Sequence, residues 1–175
     1  MKIKKFKFKR VQSTNNTAIR IIKETSYYLG MVVAERQTKG RGQYGRKWIS
    51  LKGNLFVSFF NELNKSNLTI NTITNINCLL VKKLLSNFTR KKILFKKPND
   101  LIIDKKKISG ILQEIVFLKG KKFLITGIGI NIIKNPNMKN YPATNLQELT
   151  KKSVSKLSVE NKLKQLFEKN LSKLY

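Results

Sequence analysis

The sequence predicts an α+β fold, a mixed and mostly antiparallel sheet with helices packed against it. Three observations lead there. Lys4–Val11 alternates in period two, with Phe6 and Phe8 on one face and lysines on the other, as a half-buried strand does. Apolar residues recur at helical spacing at Ile73, Ile76, Leu80, Leu84 and Phe88, and again at Val159, Leu163, Leu166, Phe167 and Leu171. Between these stretches, apolar runs of strand length follow one another across short turns rich in Gly, Asn and Lys.

Taken in order, the first strand is followed by Ser13-Thr14-Asn15, cap-type residues that open a helix over about residues 16–28, with Gly30 ending it. Residues 31–37 form a second strand and residues 54–60 a third, with a glycine-rich loop between them. A helix spans 72–88. Residues 93–95 form a short strand that runs into Lys96-Lys97-Pro98-Asn99-Asp100. Residues 101–103 and 108–118 bracket a Lys-rich turn and read as a hairpin. Residues 123–133 form another strand, carrying Gly127 and Gly129. The stretch 135–152 is polar, with one helical turn near Leu146, and Ser158 caps the last helix. No internal repeat or linker divides residues 1–175, so a single domain is expected.

Composition removes several function classes. There is no histidine, which excludes Ser-His-Asp and Cys-His catalysis and every His-ligated metal site. One cysteine, Cys78, permits no internal disulfide or Cys-based metal cage and fits a reducing cytoplasm. No apolar run reaches the roughly 18 residues of a spanning helix, so a cytoplasmic location without membrane association is expected. The formal charge is +28, from 37 Lys plus Arg against 9 acids. Such a charge fits a nucleic-acid partner. It is spread along the chain rather than gathered in one stripe, and Lys, Asn and Ile are all abundant, as an AT-rich genome produces. A generally basic surface is therefore the preferred reading, with no specific DNA binding.

The chemistry concentrates in residues 35–58. Gly40-Arg41-Gly42-Gln43-Tyr44-Gly45 matches the letters of a dinucleotide fingerprint and follows a strand. A fingerprint must open a helix so that phosphate meets the helix N-terminus. Here strand-type sequence follows, and that reading fails. What remains is a hairpin loop whose glycines let backbone approach a ligand, with Arg41 and Arg46 offering forked donors to phosphate or carboxylate. Trp48, the only tryptophan, follows. Lys96 leaves an apolar strand ahead of Pro98, where it can be aimed inward as a point charge. Asn99 and Asp100 also suit a plain turn. Gly110 on one strand and Gly127 and Gly129 on the next remove side chains from neighbouring positions, which opens a slot in the sheet. Ser13, Thr14 and Asn15 read either as a helix cap or as a polar wall for a small ligand.

Together, AERQTKGRGQYGRKW, KKPNDLI, KKISGILQE and GIGIN stand in the order and spacing of the biotin–protein ligases, and Ser13-Thr14-Asn15 resembles that family's N-terminal substrate motif. The resemblance runs from about Phe8 to Asn131. It implies a fold related to class II aminoacyl-tRNA synthetases and lipoate ligases. It also implies a two-step reaction. Biotin and ATP with Mg2+ give biotinyl-5′-AMP, and the acyl group then passes to a lysine of a biotin carboxyl carrier protein, typically that of acetyl-CoA carboxylase. By motif match, Ser13, Thr14, Asn15, Gln37, Arg41, Gly42, Gln43, Lys96 and Gly110 would meet biotin. Gly40, Arg41, Gly45, Arg46, Trp48, Asn99 and Asn131 would meet the nucleotide. Lys96 and Arg41 would be catalytic, and the metal would be held by ATP phosphates rather than by protein ligands. A homodimer is compatible with this resemblance. Two positions depart from the family pattern: Gln43 where a second loop arginine is usual, and Lys97 where Trp is usual. The resemblance covers the catalytic domain alone, with neither the family's C-terminal β-barrel nor a DNA-binding helix-turn-helix expected. The alternatives are lipoate or octanoate attachment, whose enzymes generally carry a histidine motif, and a non-catalytic nucleic-acid-binding protein.

Overall fold

The computed structural model describes residues 2–63, 68–137 and 141–174, with side chains to residue 170. Its centre is a seven-stranded sheet in the order β1-β2-β3-β7-β6-β5-β4. The strands are β1 (Lys4–Val11), β2 (Leu29–Gln37), β3 (Leu55–Glu62), β4 (Leu94–Lys96), β5 (Asp100–Ile103), β6 (Lys106–Leu118) and β7 (Lys121–Ile130). Only β1 and β2 pair in parallel; the other pairings are antiparallel. A parallel neighbour needs a crossover, and helix α1 (Thr14–Glu24) supplies it. Helices α2 (Ile70–Leu85), α3 (Leu146–Thr150) and α4 (Lys156–Leu174) complete the chain. The expected α+β class is the one observed.

The sheet separates two cores. On one face α1 buries Ala18, Ile21 and Ile22 against Val32, Phe60, Phe123 and Ile125. On the other, α2 and α4 cover Met31, Val33, Leu55, Val57 and Phe59 with Val81, Leu84, Leu163 and Phe167. The rings of Phe59 and Phe167 stack with centroids 3.8 Å apart. Removing such a ring from a core costs about 3–5 kcal/mol. No helix among the described residues is long and apolar enough to cross a membrane.

Element boundaries differ from the sequence expectation where side chains close the ends. Helix α1 stops at Glu24 rather than Tyr28: Thr25 takes extended backbone angles (φ −132°, ψ 179°), and its hydroxyl occupies the Ile21 carbonyl at 2.6 Å. Gly30 does not terminate this helix. It lies inside β2, where a Cβ would collide with the Phe60 ring. Strand β7 ends at Ile130, three residues early, because Asn54 Oδ1 accepts the amides of Ile132, Ile133 and Lys134 at 3.0, 3.1 and 3.2 Å and turns the chain away. The last helix starts at Lys156. Its cap is Ser155, whose hydroxyl accepts the Ser158 amide at 3.3 Å, so Ser158 lies within the first turn. The side chain of Leu171, expected on the buried face, lies outside the described residues.

Candidate active site

The α1 side of the sheet changes character along its length. On β7 the residues facing α1 run Phe123, Ile125, Gly127, Gly129. Large side chains fill the space beneath α1, and beyond them β7 carries none on this face. Gly110 of β6 pairs with Gly129 and extends the bare patch. A cavity of about 930 Å³ opens there. A Cβ on Gly127 would collide with Asn15 Oδ1, and one on Gly129 with the Trp48 indole; one on Gly110 would stand 2.8 Å from Trp48 Cζ3. The slot expected from these three glycines exists, with Asn15 and Trp48 lying against its floor.

At one end the wall is polar and interlocked. Ser13, Thr14 and Asn15, at the start of α1, are buried. Gln37 Oε1 accepts from the Thr14 amide (2.8 Å) and hydroxyl (3.1 Å), while Gln37 Nε2 donates to Ser50 Oγ at 3.1 Å. Ser58 Oγ lies 2.7 Å from Thr14 Oγ1 and 2.5 Å from Asn15 Oδ1. Asn15 Nδ2 donates to Glu114 Oε2 at 2.6 Å. Ser13-Thr14-Asn15 thus opens the helix and walls the cavity at once. Ser58 and Glu114, which complete the network, are spaced too far along the chain for sequence to connect them.

The glycine-rich loop folds over the cavity as a narrow hairpin. Trp48 N donates to Gly40 O at 2.9 Å, and Gly42 N to Arg46 O at 2.7 Å. The tip is a single turn at Gln43–Gly45, with Tyr44 and Gly45 in the left-handed region (φ 54° and 72°). Arg41 Nη2 lies 2.8 Å from Glu114 Oε2 and 2.8 Å from Asn16 Oδ1, so this arginine fastens the hairpin to β6 and α1. Arg41, Gly42, Gln43, Arg46 and Trp48 line the cavity. Gly40 and Gly45, expected at the nucleotide, do not. Gly40 is buried beneath the loop, where a Cβ would stand 2.5 Å from Trp48 O, and Gly45 shapes the exposed tip.

The far end is cationic. Lys96, Lys97 and Lys107 line it together with Arg46, Asp100 and Tyr141. Asp100 is the only carboxylate among the described lining residues and is 5% exposed. Lys107 Nζ stands 2.7 Å from its Oδ1, and Tyr141 donates its hydroxyl to Oδ2 at 2.7 Å. That hydrogen bond, burial and the negative charge together raise the Tyr141 phenol pKa above its ordinary value, against a smaller lowering by Arg46. Lys107 also lies 5.2 Å from the centre of the Trp48 ring. Lys96 is more exposed, 5.1 Å from the Tyr141 ring centre. Sequence reading selected Lys96 and passed over Lys107 and Tyr141. The available signal was Lys107 three residues ahead of Gly110, whose missing side chain leaves room for the lysine to fold over the sheet.

Asn99 and Asn131 line the cavity, but their amides are engaged with the fold. Asn99 Nδ2 donates to Ile111 O at 2.7 Å. Asn131 Nδ2 donates to Thr144 O at 3.1 Å, and its Oδ1 accepts from Asn54 Nδ2 at 3.3 Å. Among the described residues, three buried polar atoms of the cavity wall have no protein hydrogen bond: Trp48 Nε1, a donor, Gln43 Oε1, an acceptor, and Asp100 Oδ1, which has the Lys107 ion pair alone. Unsatisfied groups at a cavity wall are provision for a polar ligand. No group of three or more Cys, Asp or Glu among the described residues is arranged to hold a metal ion.

Comparison with known proteins follows this geometry. Residues 7–131 match the model of the biotin/lipoate A/B protein ligase family. The bifunctional ligase/repressor BirA of Escherichia coli is 33% identical over 102 residues, covering 57% of this chain and 32% of that protein. The chain thus spans about a third of that relative's length. The structure of the Aquifex aeolicus biotin protein ligase in complex with biotin and ATP is 34% identical with a TM-score of 0.82, covering 97% of this chain and 71% of that one. The Leishmania major biotin protein ligase in complex with biotinyl-5-AMP is 28% identical with a TM-score of 0.79, covering 97% and 75%. This chain belongs to the biotin/lipoate A/B protein ligase family, and its fold is that of a biotin–protein ligase catalytic domain.

Proposed function

We propose that the chain activates biotin with ATP, as biotinyl-5′-AMP, and passes the biotinyl group to a lysine of a carrier protein, the biotin carboxyl carrier of acetyl-CoA carboxylase being the expected acceptor. The observation that carries this reading is the two-ended cavity. A compact hydrogen-bonding wall, Ser13 to Asn15 with Gln37, faces a cationic end, Lys96, Lys107 and Arg46, across the Trp48 indole. A small neutral polar head fits the first end, a polyphosphate the second, and a planar base the indole between them. The Aquifex structure is a complex with biotin and ATP and the Leishmania structure a complex with biotinyl-5-AMP, which supports the identity of these occupants.

The chemistry suits these residues. In the first step a biotin carboxylate oxygen attacks the α-phosphorus, and the bond to the β-phosphate oxygen breaks to release pyrophosphate. Two anions must approach, so preorganised cations aimed at the phosphate lower the barrier. Lys107 and Lys96 fill this role, Lys107 from the more enclosed position. Mg2+ enters with ATP as part of that substrate. Arg41 contributes by holding the hairpin closed, which keeps water from the mixed anhydride. In the second step the carrier lysine attacks the acyl carbon, AMP leaves and the amine gives up a proton.

Mass spectrometry of the reaction after incubation with ATP-Mg2+, biotin and a carrier domain, which reads both the adenylate and the mass added to the carrier, tests the reading, with lipoate as the competing acid. Biotin-dependent labelling of the carrier lysine is expected. Labelling by lipoate alone, or of no carrier, overturns it. In the same assay Lys107→Ala and Lys96→Ala each reduce adenylate formation by about 100-fold or more, as lost oxyanion-type stabilisation does. Full activity in either variant removes that lysine from the chemistry.

A further inference from the structure

The polar stretch after β7 returns to the site at Tyr141. Lys107 N donates to Pro142 O at 2.8 Å, and Thr144 N donates back to Lys107 O at 2.9 Å. Residues 142–144 are thereby strapped alongside the backbone of Lys107, in a short parallel bridge between Lys107 and Ala143. The strap is itself held by Asn131, whose Nδ2 donates to Thr144 O. Its result is to fix Tyr141 over the cationic end.

Tyr141 meets three charged groups there. Its hydroxyl donates to Asp100 Oδ2 at 2.7 Å. Its ring centre lies 5.1 Å from Lys96 Nζ and 5.3 Å from Lys107 Nζ. A buried carboxylate paired with one lysine alone is free to swing and to draw that ammonium onto itself. A second donor on its other oxygen fixes the carboxylate plane and disperses its charge. The ring quadrupole attracts both ammonium groups. The raised phenol pKa keeps the hydroxyl a donor through neutral and mildly alkaline pH.

We infer that Tyr141 is a positioning residue for the phosphate end of the site. Its hydroxyl orients Asp100 so that Lys107 is held towards bound nucleotide, and its ring gathers Lys96 to the same place. This rests on the proposed ligase reading, with adenylate formation as the step it serves.

Two measurements on the full chain test it, using Tyr141→Phe, which keeps the ring and removes the hydroxyl. The first does not depend on activity. Limited acetylation read by mass spectrometry reports each lysine separately. Lys107 is expected to label several-fold slower in Tyr141→Phe, where Asp100 draws the ammonium onto itself, about the change that one charge-assisted hydrogen bond produces, while Lys105 and Lys106 keep their rates. Unchanged Lys107 labelling overturns the inference. The second is kinetic. Tyr141→Phe is expected to lower the rate constant for adenylate formation about tenfold with the biotin KM unchanged, and to cost less than about twofold in a Lys107→Ala background, since coupled residues are not additive. An equal penalty in both backgrounds, or none in either, overturns it. A wild-type chain that forms no adenylate overturns the ligase reading instead, while the labelling result still judges Tyr141.

Discussion

Gly127 and Gly129 show how a missing side chain makes a site. They continue the stripe that begins with Phe123 and Ile125, and they free the sheet surface for Asn15 and Trp48. Their roles separate by position. Gly127→Ala pushes on Asn15, at the polar end, and is expected to raise the biotin KM about tenfold. Gly129→Ala pushes on the indole and is expected to raise the ATP KM about tenfold, each by loss of ground-state binding. Steady-state kinetics with one substrate varied at a time checks the split; equal effects on both KM values would refute the two-ended cavity. These glycines were legible because an internal glycine is unusual in a strand. The functional lysines were not. Among 37 Lys plus Arg residues no single lysine stands out by type, and only the fold shows that Lys107 lies on Asp100 while Lys96 stands at the mouth. Tyr141 was hidden for a different reason: its stretch has no period and is brought to the site by long-range bonds to Lys107, Asn131 and Asp100.

At the scale of elements, alternation revealed β1 and helical spacing revealed α2 and α4, because burial on one face enforces them, while the remaining strands were legible as apolar runs and α1 by its cap residues. The ends depend on single side-chain bonds that no periodicity records, as Thr25, Asn54 and Ser155 demonstrate. Long-range contacts tie the last helix to the chain start: Lys5 Nζ donates to Glu160 Oε1 at 2.9 Å, and Glu168 Oε1 accepts the Ile3 amide at 2.8 Å as well as Lys164 Nζ of its own helix at 2.6 Å. Burial raises the Glu168 carboxyl pKa, but the hydrogen bond from Lys164, the Ile3 amide and the Lys164 charge outweigh it, and the value falls below the ordinary 4.5. A folded value below the unfolded one means that the ionised group stabilises the fold above the unfolded pKa. That contribution is lost as pH falls through the lowered folded value. Glu168→Gln is therefore expected to lower the thermal midpoint at pH 7, by about 2–4 °C for each kcal/mol lost in a chain of this size, with the difference shrinking as pH falls through the lowered folded value. A midpoint difference that persists in acid would show that shape rather than charge is responsible.

Across the whole molecule, the charge of +28 is the most prominent property of the sequence, and the least informative about the site. The cationic end of the cavity uses a few of these residues. Beyond those held in ion pairs, the remainder are expected to act through the field around the protein, which would steer an oppositely charged partner. Association with an acidic carrier domain is expected to slow about tenfold or more between low and high salt, as screened encounter rates do, while the rate of adenylate formation from saturating biotin and ATP changes little. Stopped-flow at several salt concentrations distinguishes the two; a salt-independent association rate would exclude steering.

The two-ended cavity makes one demand that needs no carrier: biotin and ATP must react with each other inside this chain. Biotin-dependent exchange of labelled pyrophosphate into ATP measures that step alone. The account predicts exchange that requires biotin, is not supported by lipoate, and falls about 100-fold in Lys107→Ala through lost charge stabilisation. Absence of exchange with biotin present, or exchange supported by lipoate instead, would contradict it.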